Sequence, residues 1–267
     1  MNFPYDAVIA DSGHAIFIVR DGNVKKISTF GCAFDIYALG KDTYCYSSIG
    51  DNSYSGLVVC NENGEVLKRY KTKNEVFGVW PIQNGEKGFL VGELTGKLIT
   101  VLDADCNVVK RFPILYNGKN LHEVMRGVQI ARDGNIWVVQ PGDCMIRKFS
   151  FEGELLEEIP TGPDTFGMEE LENGNIIYTQ HTAICEIDRK GKELWRVSAS
   201  DIPQAGLCWA LNFKIAPNGH ILIANWLGHG CEKMGYPMIE LDEKHELVGM
   251  FQISHEANYI SDLCFLP

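Results

Sequence analysis

The sequence predicts an all-β chain: one six-bladed β-propeller with four antiparallel strands per blade, the last blade closed by both termini. Three observations predict it. A strand–turn–strand unit recurs along all 267 residues, a second strand pair precedes each recurrence, and the C-terminal segment supplies the one strand that the N-terminal segment lacks.

The recurring hairpin runs over residues 15–30, 57–70, 98–112, 145–159, 184–197 and 238–251. Its second turn residue is Gly22, Gly64, Cys106, Gly153, Gly191 and His245, at spacings of 42, 42, 47, 38 and 54 residues. Six units of roughly 44 residues, the usual size of a four-stranded blade, therefore account for the chain. Within a unit the first strand ends in a further turn, as at Asp133-Gly134 and Asn218-Gly219, and residues 136–139, 176–179 and 221–224 supply the second strand. Asn-Gly and Asp-Gly turns between short β-rich runs are the hairpin signal. No segment reads as a long amphipathic helix. Residues 260–267 align with the first strand at residues 211–217, and the other three strands of that blade lie at residues 7–10, 15–19 and 24–30. A ring closed in this way leaves few open sheet edges. The expected blades are 32–73, 74–120, 121–164, 165–205, 206–254, and 255–267 joined to 1–31, making one domain over 1–267.

Composition narrows the function. Twenty-four Lys and Arg against 35 Asp and Glu give a formal charge of −11, which repels phosphate backbones and anionic lipid. Neither nucleic acid nor a membrane is an expected partner, and no apolar run of about 18 residues is present. The first ten residues lack the basic and apolar regions of a secretory leader. Nine cysteines are scattered from Cys32 to Cys264 without a C-x-x-C pair, a pattern of neither a disulfide framework nor a zinc ribbon. Reduced thiols in a cytoplasm are expected.

One stretch, Ala183-Ile184-Cys185-Glu186-Ile187-Asp188-Arg189-Lys190-Gly191-Lys192-Glu193-Leu194-Trp195, resembles the blade repeat of pyrroloquinoline-quinone-type propellers. Asn173-Gly174-Asn175-Ile176-Ile177 and Asn218-Gly219-His220-Ile221-Leu222 resemble the blades of NHL and bacterial arylsulfotransferase propellers. The resemblance implies the fold. Only one blade carries the Trp195 ending, so a quinone cofactor is not implied. Arylsulfotransferase-like propellers use a channel histidine nucleophile with further histidines and an arginine, for which His122, Arg126 and His255 are the nearest counterparts.

In a four-stranded meander the between-blade loops and the loops between second and third strands share one face, here called upper. Five of the seven histidines map there: His122 and His255 in between-blade loops, and His14, His181 and His229 in second-to-third-strand loops. Two of these loops carry a His-Glu pair, His122-Glu123 followed by Arg126, and His255-Glu256 followed by Tyr259. Imidazole and carboxylate together transfer protons near neutral pH or ligate a metal. His122, Glu123, Arg126, His181, His255 and Glu256 are the catalytic candidates, with His122, His181, His229 and His255 as ligands for a divalent metal.

Polar residues end every second strand: Asp11, Ser48, Glu93, Gln140, Gln180 and Asn225, a ring expected to surround the upper mouth. On the first strands Asp35, Gly78, Gly127, Gly167, Asn212 and Asp262 align; there the glycines suit converging backbones, and the acidic and amide groups suit a water or a hard cation. Aromatic residues Trp80, Trp209, Trp226, Tyr236 and Tyr259 complete the picture, and the long Gly-rich insertion 225–237 has the character of a functional lip. Asp11, His14, Glu93, Gln140, Gln180, Trp209, Asn225, Trp226, His229 and Tyr259 are the substrate-binding candidates.

Residues 103–107 open like an EF-hand loop but carry Val108 where glycine is required, so they read as a hairpin turn. Residues 228–233 lack the third glycine of a dinucleotide fingerprint. The expected function is an enzyme acting on a small polar molecule, a saccharide or glycoside, by lyase, hydrolase or group-transfer chemistry. The alternative is a non-catalytic ligand- or protein-binding propeller.

Overall fold

The computed structural model describes residues 3–51 and 54–267; the first two residues of the N-terminal segment read above for a leader lie outside them. Six four-stranded antiparallel sheets form the ring. Five blades are continuous in sequence. In the sixth, the C-terminal strand Ile260–Phe265 pairs with Ala7–Asp11 as the innermost member, so both termini build one sheet as expected. Three short 3-10 turns are the helical content of the described residues.

All six hairpin marker residues adopt positive φ, from 65° to 88°, whether glycine or, at Cys106 and His245, not. The turn therefore needs the left-handed region, which glycine enters without cost. A polar side chain at the start of the turn locks it: Asn61, Asp103, Asp188 and Asp242 each accept from the backbone N–H groups two and four residues on. Asp103 thus caps a hairpin turn, as expected. The core lies between neighbouring sheets, in clusters such as Phe17, Leu222 and Leu263 at the closing blade.

The innermost strands Cys32–Ala38, Val76–Ile82, Gly127–Ile130, Thr165–Glu170, Ala210–Ile215 and Ile260–Phe265 descend from the upper face towards the axis. Five of them break register near the upper end, and this bulging turns two successive side chains towards the channel. Three rings result, one residue per blade. The upper ring is Phe34, Phe77, Arg126, Phe166, Leu211 and Ser261, which enclose a cavity of about 30 Å³ together with Asp35. The middle ring is the aligned column of small and acidic residues, and the lower ring is Tyr37, Trp80, Gln129, Glu169, Lys214 and Cys264 around the opposite mouth. Trp80, expected with the other aromatic residues on or beside the inner strands, lies at this lower end.

The middle ring holds the blades together. A Cβ on Gly78 would come 3.0 Å from the Val128 nitrogen and 3.1 Å from the Gly127 Cα in the next blade, a tighter approach than ordinary van der Waals contact, so glycine suits this position. Asp262 accepts from the Ile36 N–H (3.0 Å) and Asp35 from the Val79 N–H (3.0 Å), each carboxylate stitching its blade to the next. The Lys214 ammonium, 3.0 Å from Asp262, brings positive charge to this column, where the sequence suited a water or a hard cation. Among the described residues no three His, Cys, Asp or Glu side chains are spaced to hold a metal ion.

Seven cysteines are free, as expected. Cys208 and Cys231 are joined as a disulfide, which corrects the expectation for that pair. The bond fastens the lip to the between-blade loop that leads into the fifth blade, closing a loop with a sequence separation of 23.

Burial, and then the neighbouring Asp262 charge, raise the Asp35 pKa well above its ordinary 3.8; Lys214 opposes this. The folded state therefore holds that proton more tightly than the unfolded chain, and stability is lost as pH rises from the ordinary carboxyl range through the raised value. Asp35→Asn keeps the acceptor for Val79 while removing the charge. Its Tm is expected to exceed the parent's by a few degrees at pH 7.5 and to match it at pH 3.5; equal shifts at both would refute the assignment.

Candidate functional site

Above the upper ring the channel widens into a cup of about 610 Å³, lined by Phe34, Ile49, Phe77, Phe166, Trp209, Leu211, Trp226 and Tyr259, with Ser12, Cys32, Glu75, His122, Arg126 and His229 as its polar members. The walls are thus mainly aromatic. Volume and character match small-molecule sites, apolar with a few convergent polar groups.

Arg126 stands at the floor. Its guanidinium carbon lies 4.2 Å from the Phe77 ring centroid and 5.7 Å from that of Phe166. Its Nε is buried without a hydrogen-bond partner. Among the described residues no carboxylate is within ion-pair distance; Glu123, Glu75 and Asp164 act on it only at longer range. Burial pushes the guanidinium pKa down to about 10, so the group stays cationic at neutral pH. An unpaired, desolvated cation facing an aromatic cup is costly, and an anionic oxygen would relieve that cost.

His122 packs edge-on against the same Phe77 ring at 5.1 Å, and its Nδ1 lies 3.2 Å from Glu75 Oε2. A carboxylate at Nδ1 fixes the tautomer and leaves Nε2 free, the orientation of a general base. The local sequence explains the placement. Asn120 caps the turn Leu121–Glu123, its side chain accepting from the His122 N–H at 3.1 Å and donating to Glu123 at 2.7 Å. Glu123 is thereby engaged in its own loop and does not line the cup.

The far wall is a chain of ring contacts. Trp209 lies 6.0 Å from Phe166, 6.1 Å from Trp226 and 6.2 Å from His229; Trp226 is 4.8 Å from His229 and 6.1 Å from Tyr259. The Trp226 indole donates to Ser12 Oγ at 2.7 Å, tying the lip to the closing blade. His181 lies tilted by 39° against Trp209 with centroids 3.6 Å apart, and is a buttress outside the lining.

Of the sequence candidates, then, His122, Arg126, Trp209, Trp226, His229 and Tyr259 come together. Others do not. His255 has a side chain 90% exposed, with its Nε2 3.7 Å from Glu256, and Glu256 pairs with Lys26 at 2.5 Å. His14 is exposed, its Nε2 3.7 Å from Cys32 Sγ at the rim. The four metal candidates His122, His181, His229 and His255 do not converge.

The polar ring turns away from the cup altogether. Asp11, Glu93, Gln140, Gln180 and Asn225 are buried and bond the between-blade loops that fold over their strand ends. Asp11 accepts from Gly13 and Tyr259 N–H groups, Gln140 donates to the Leu115 carbonyl and Gln180 to that of Pro163. Glu93 accepts from Tyr70, Thr72, Asn74 and Thr100 side chains, and these bonds hold its pKa low despite burial. Asn225 is saturated: its amide donates to Gly206 (3.0 Å) and Tyr236 (2.8 Å) carbonyls and accepts from the Cys208 (2.8 Å) and Trp209 (3.1 Å) N–H groups. These five shape the cup from behind. Phe34, Phe77 and Phe166 escaped the sequence reading, although each directly precedes a member of the middle-ring column.

No protein-family model and no curated protein matches the chain. Solved structures do. A protein of unknown function from Bacteroides caccae has 17% identity and a TM-score of 0.84, covering 99% of each chain. A catalytically inactive histidine-to-alanine variant of virginiamycin B lyase from Staphylococcus aureus, with quinupristin, has 12% identity and a TM-score of 0.63 over 96% of this chain and 88% of that one. A nidogen/laminin complex contains a chain with 10% identity and a TM-score of 0.65, covering 97% of each. At these identities the likeness is one of fold, shared by an enzyme and by a chain of a protein complex.

Asn225→Ala leaves the Cys208 and Trp209 N–H groups without their acceptor behind the cup. A loss of about 3 kcal/mol in unfolding free energy is expected for two such orphaned donors. Urea denaturation followed by tryptophan fluorescence measures it, and a change below about 0.5 kcal/mol would show that the ring does not lock the loops.

Proposed function

We propose that the upper cup is the active site of a lyase-type enzyme. Its substrate is a largely apolar or aromatic molecule that presents one anionic or strongly polarised oxygen to Arg126. The observation that carries this is the unpaired guanidinium of Arg126 on the floor of an aromatic cup, beside an imidazole held by Glu75. The sugar class expected from the loop sequences gives way to an amphipathic one, because the polar ring bonds loops and the lining is aromatic. Lyase neighbours of the same fold support the reaction type.

The chemistry needs a base, an oxyanion clamp and an acid. His122 Nε2 takes a proton from the carbon next to a carbonyl, whose oxygen Arg126 holds as negative charge develops. The electron pair left on that carbon forms a C=C bond and expels the group on the next carbon. The leaving group takes a proton from His229 on the opposite wall. Both imidazoles then exchange protons with solvent and return to their starting states.

The test pairs binding with turnover. 2-Naphthoate, an aromatic carboxylate, is expected to quench the Trp209 and Trp226 fluorescence, and Arg126→Leu to weaken it at least about tenfold, as loss of a charged hydrogen bond does. His122→Ala is expected to keep that binding while abolishing elimination from aromatic β-substituted carbonyl compounds, followed by absorbance of the new conjugated bond. Undiminished naphthoate binding by Arg126→Leu would overturn the reading. Binding without turnover of any such compound would make the protein a ligand-binding propeller.

A further inference from the structure

The opposite mouth is a second cavity, about 430 Å³, to which all six innermost strands contribute. It joins the upper cup only through cavities of about 40 and 30 Å³, room for water but not for a ligand. What occupies it is therefore independent of the upper site.

Its lining differs in kind. Tyr37 and Trp80 meet edge to face at 5.2 Å and form an aromatic corner. The Lys214 ammonium sits 5.5 Å above the Tyr37 ring while paired to Asp262. Glu170 is occupied by Arg132, Trp137 and Arg189. Glu169 is not: among the described residues its carboxylate has no hydrogen-bond or ion-pair partner, and burial raises its pKa against the opposing charges of Lys214 and Arg132. The Gln129 amide and the Tyr37 hydroxyl likewise bond to no described residue.

Charge selects the ligand class. A cation would meet Lys214 and Arg132, and an anion would meet Glu169 and the Asp35–Asp262 pair, so ions of either sign are disfavoured. A neutral molecule with several hydroxyl groups, each both donor and acceptor, satisfies a free carboxylate, a free amide and an ammonium together. The aromatic corner favours one that also has an apolar ring face. We propose that the lower mouth is a binding site for a neutral sugar ring. Its hydroxyls donate to Glu169, exchange hydrogen bonds with Gln129 and accept from Lys214, and its C–H face rests on Trp80.

Saturation-transfer NMR with the methyl glycosides of glucose, galactose, mannose and N-acetylglucosamine tests this. At least one is expected to receive saturation, with a dissociation constant in the millimolar range. The signal is expected to vanish in Glu169→Leu, to weaken severalfold in Glu169→Gln, and to persist in Arg126→Leu, whose change lies in the upper cup. Chemical-shift dispersion of each variant reports its fold. Transfer to none of the glycosides, or transfer that survives in folded Glu169→Leu, overturns the proposal, and so does loss of transfer in Arg126→Leu, which would put the sugar in the upper cup.

Discussion

Six strands converging on one axis leave too little room for ordinary side chains, and the remaining features of the molecule depend on how that crowding is resolved. Where the backbones nearly touch, glycine eases the contact, as at Gly78 against the third blade. Where they stand slightly apart, a short acid reaches across: Asp35 to Val79, Asp262 to Ile36. Both solutions give a middle ring too narrow for a ligand, and so divide the axis into two vestibules. Buried carboxylates are a costly way to join blades, and the Lys214 ammonium offsets part of that cost.

The two vestibules inherit opposite chemistries from one pattern. The bulge near the top of five innermost strands projects the residue before the middle ring towards the upper mouth, where Arg126 holds the same place ahead of the regular strand Gly127–Ile130, and regular strand geometry projects the residue two places after the ring into the lower one. Aromatic residues dominate the first set, with Arg126 as the lone cation among them. The second set is mixed in charge and hydrogen-bonding capacity. One scaffold position per blade therefore tunes each end separately.

Much of this was legible in the sequence. The spacing of Gly22, Gly64, Gly153 and Gly191 reports a turn that needs positive φ, and Cys106 and His245 hold the same place at the cost of strain. The termini could be joined because residues 260–267 fit a first strand and nothing else. The site was half legible. His122, Arg126, Trp226 and Tyr259 were found from loop position, which topology assigns to a face. Asp11, Glu93, Gln140, Gln180 and Asn225 were misread because a polar residue ending a strand looks alike whether it meets solvent or a folded-back loop. The phenylalanines were missed because a one-residue bulge reverses the inside–outside alternation and leaves no mark in the pattern. The Cys208–Cys231 pair, at an uninformative spacing, could be recognised only once the lip was seen to lie against its loop.

The seam where the termini meet runs through the wall of the upper cup. Ser12 comes from the N-terminal part of that blade and Tyr259 from the approach to its C-terminal strand, while Trp226 reaches Ser12 from the neighbouring blade. A molecule seated in the cup touches all three and so acts as a clasp on the ring. Binding and closure are then thermodynamically linked: occupancy favours the closed ring, and a ring open at the seam has no complete cup to occupy.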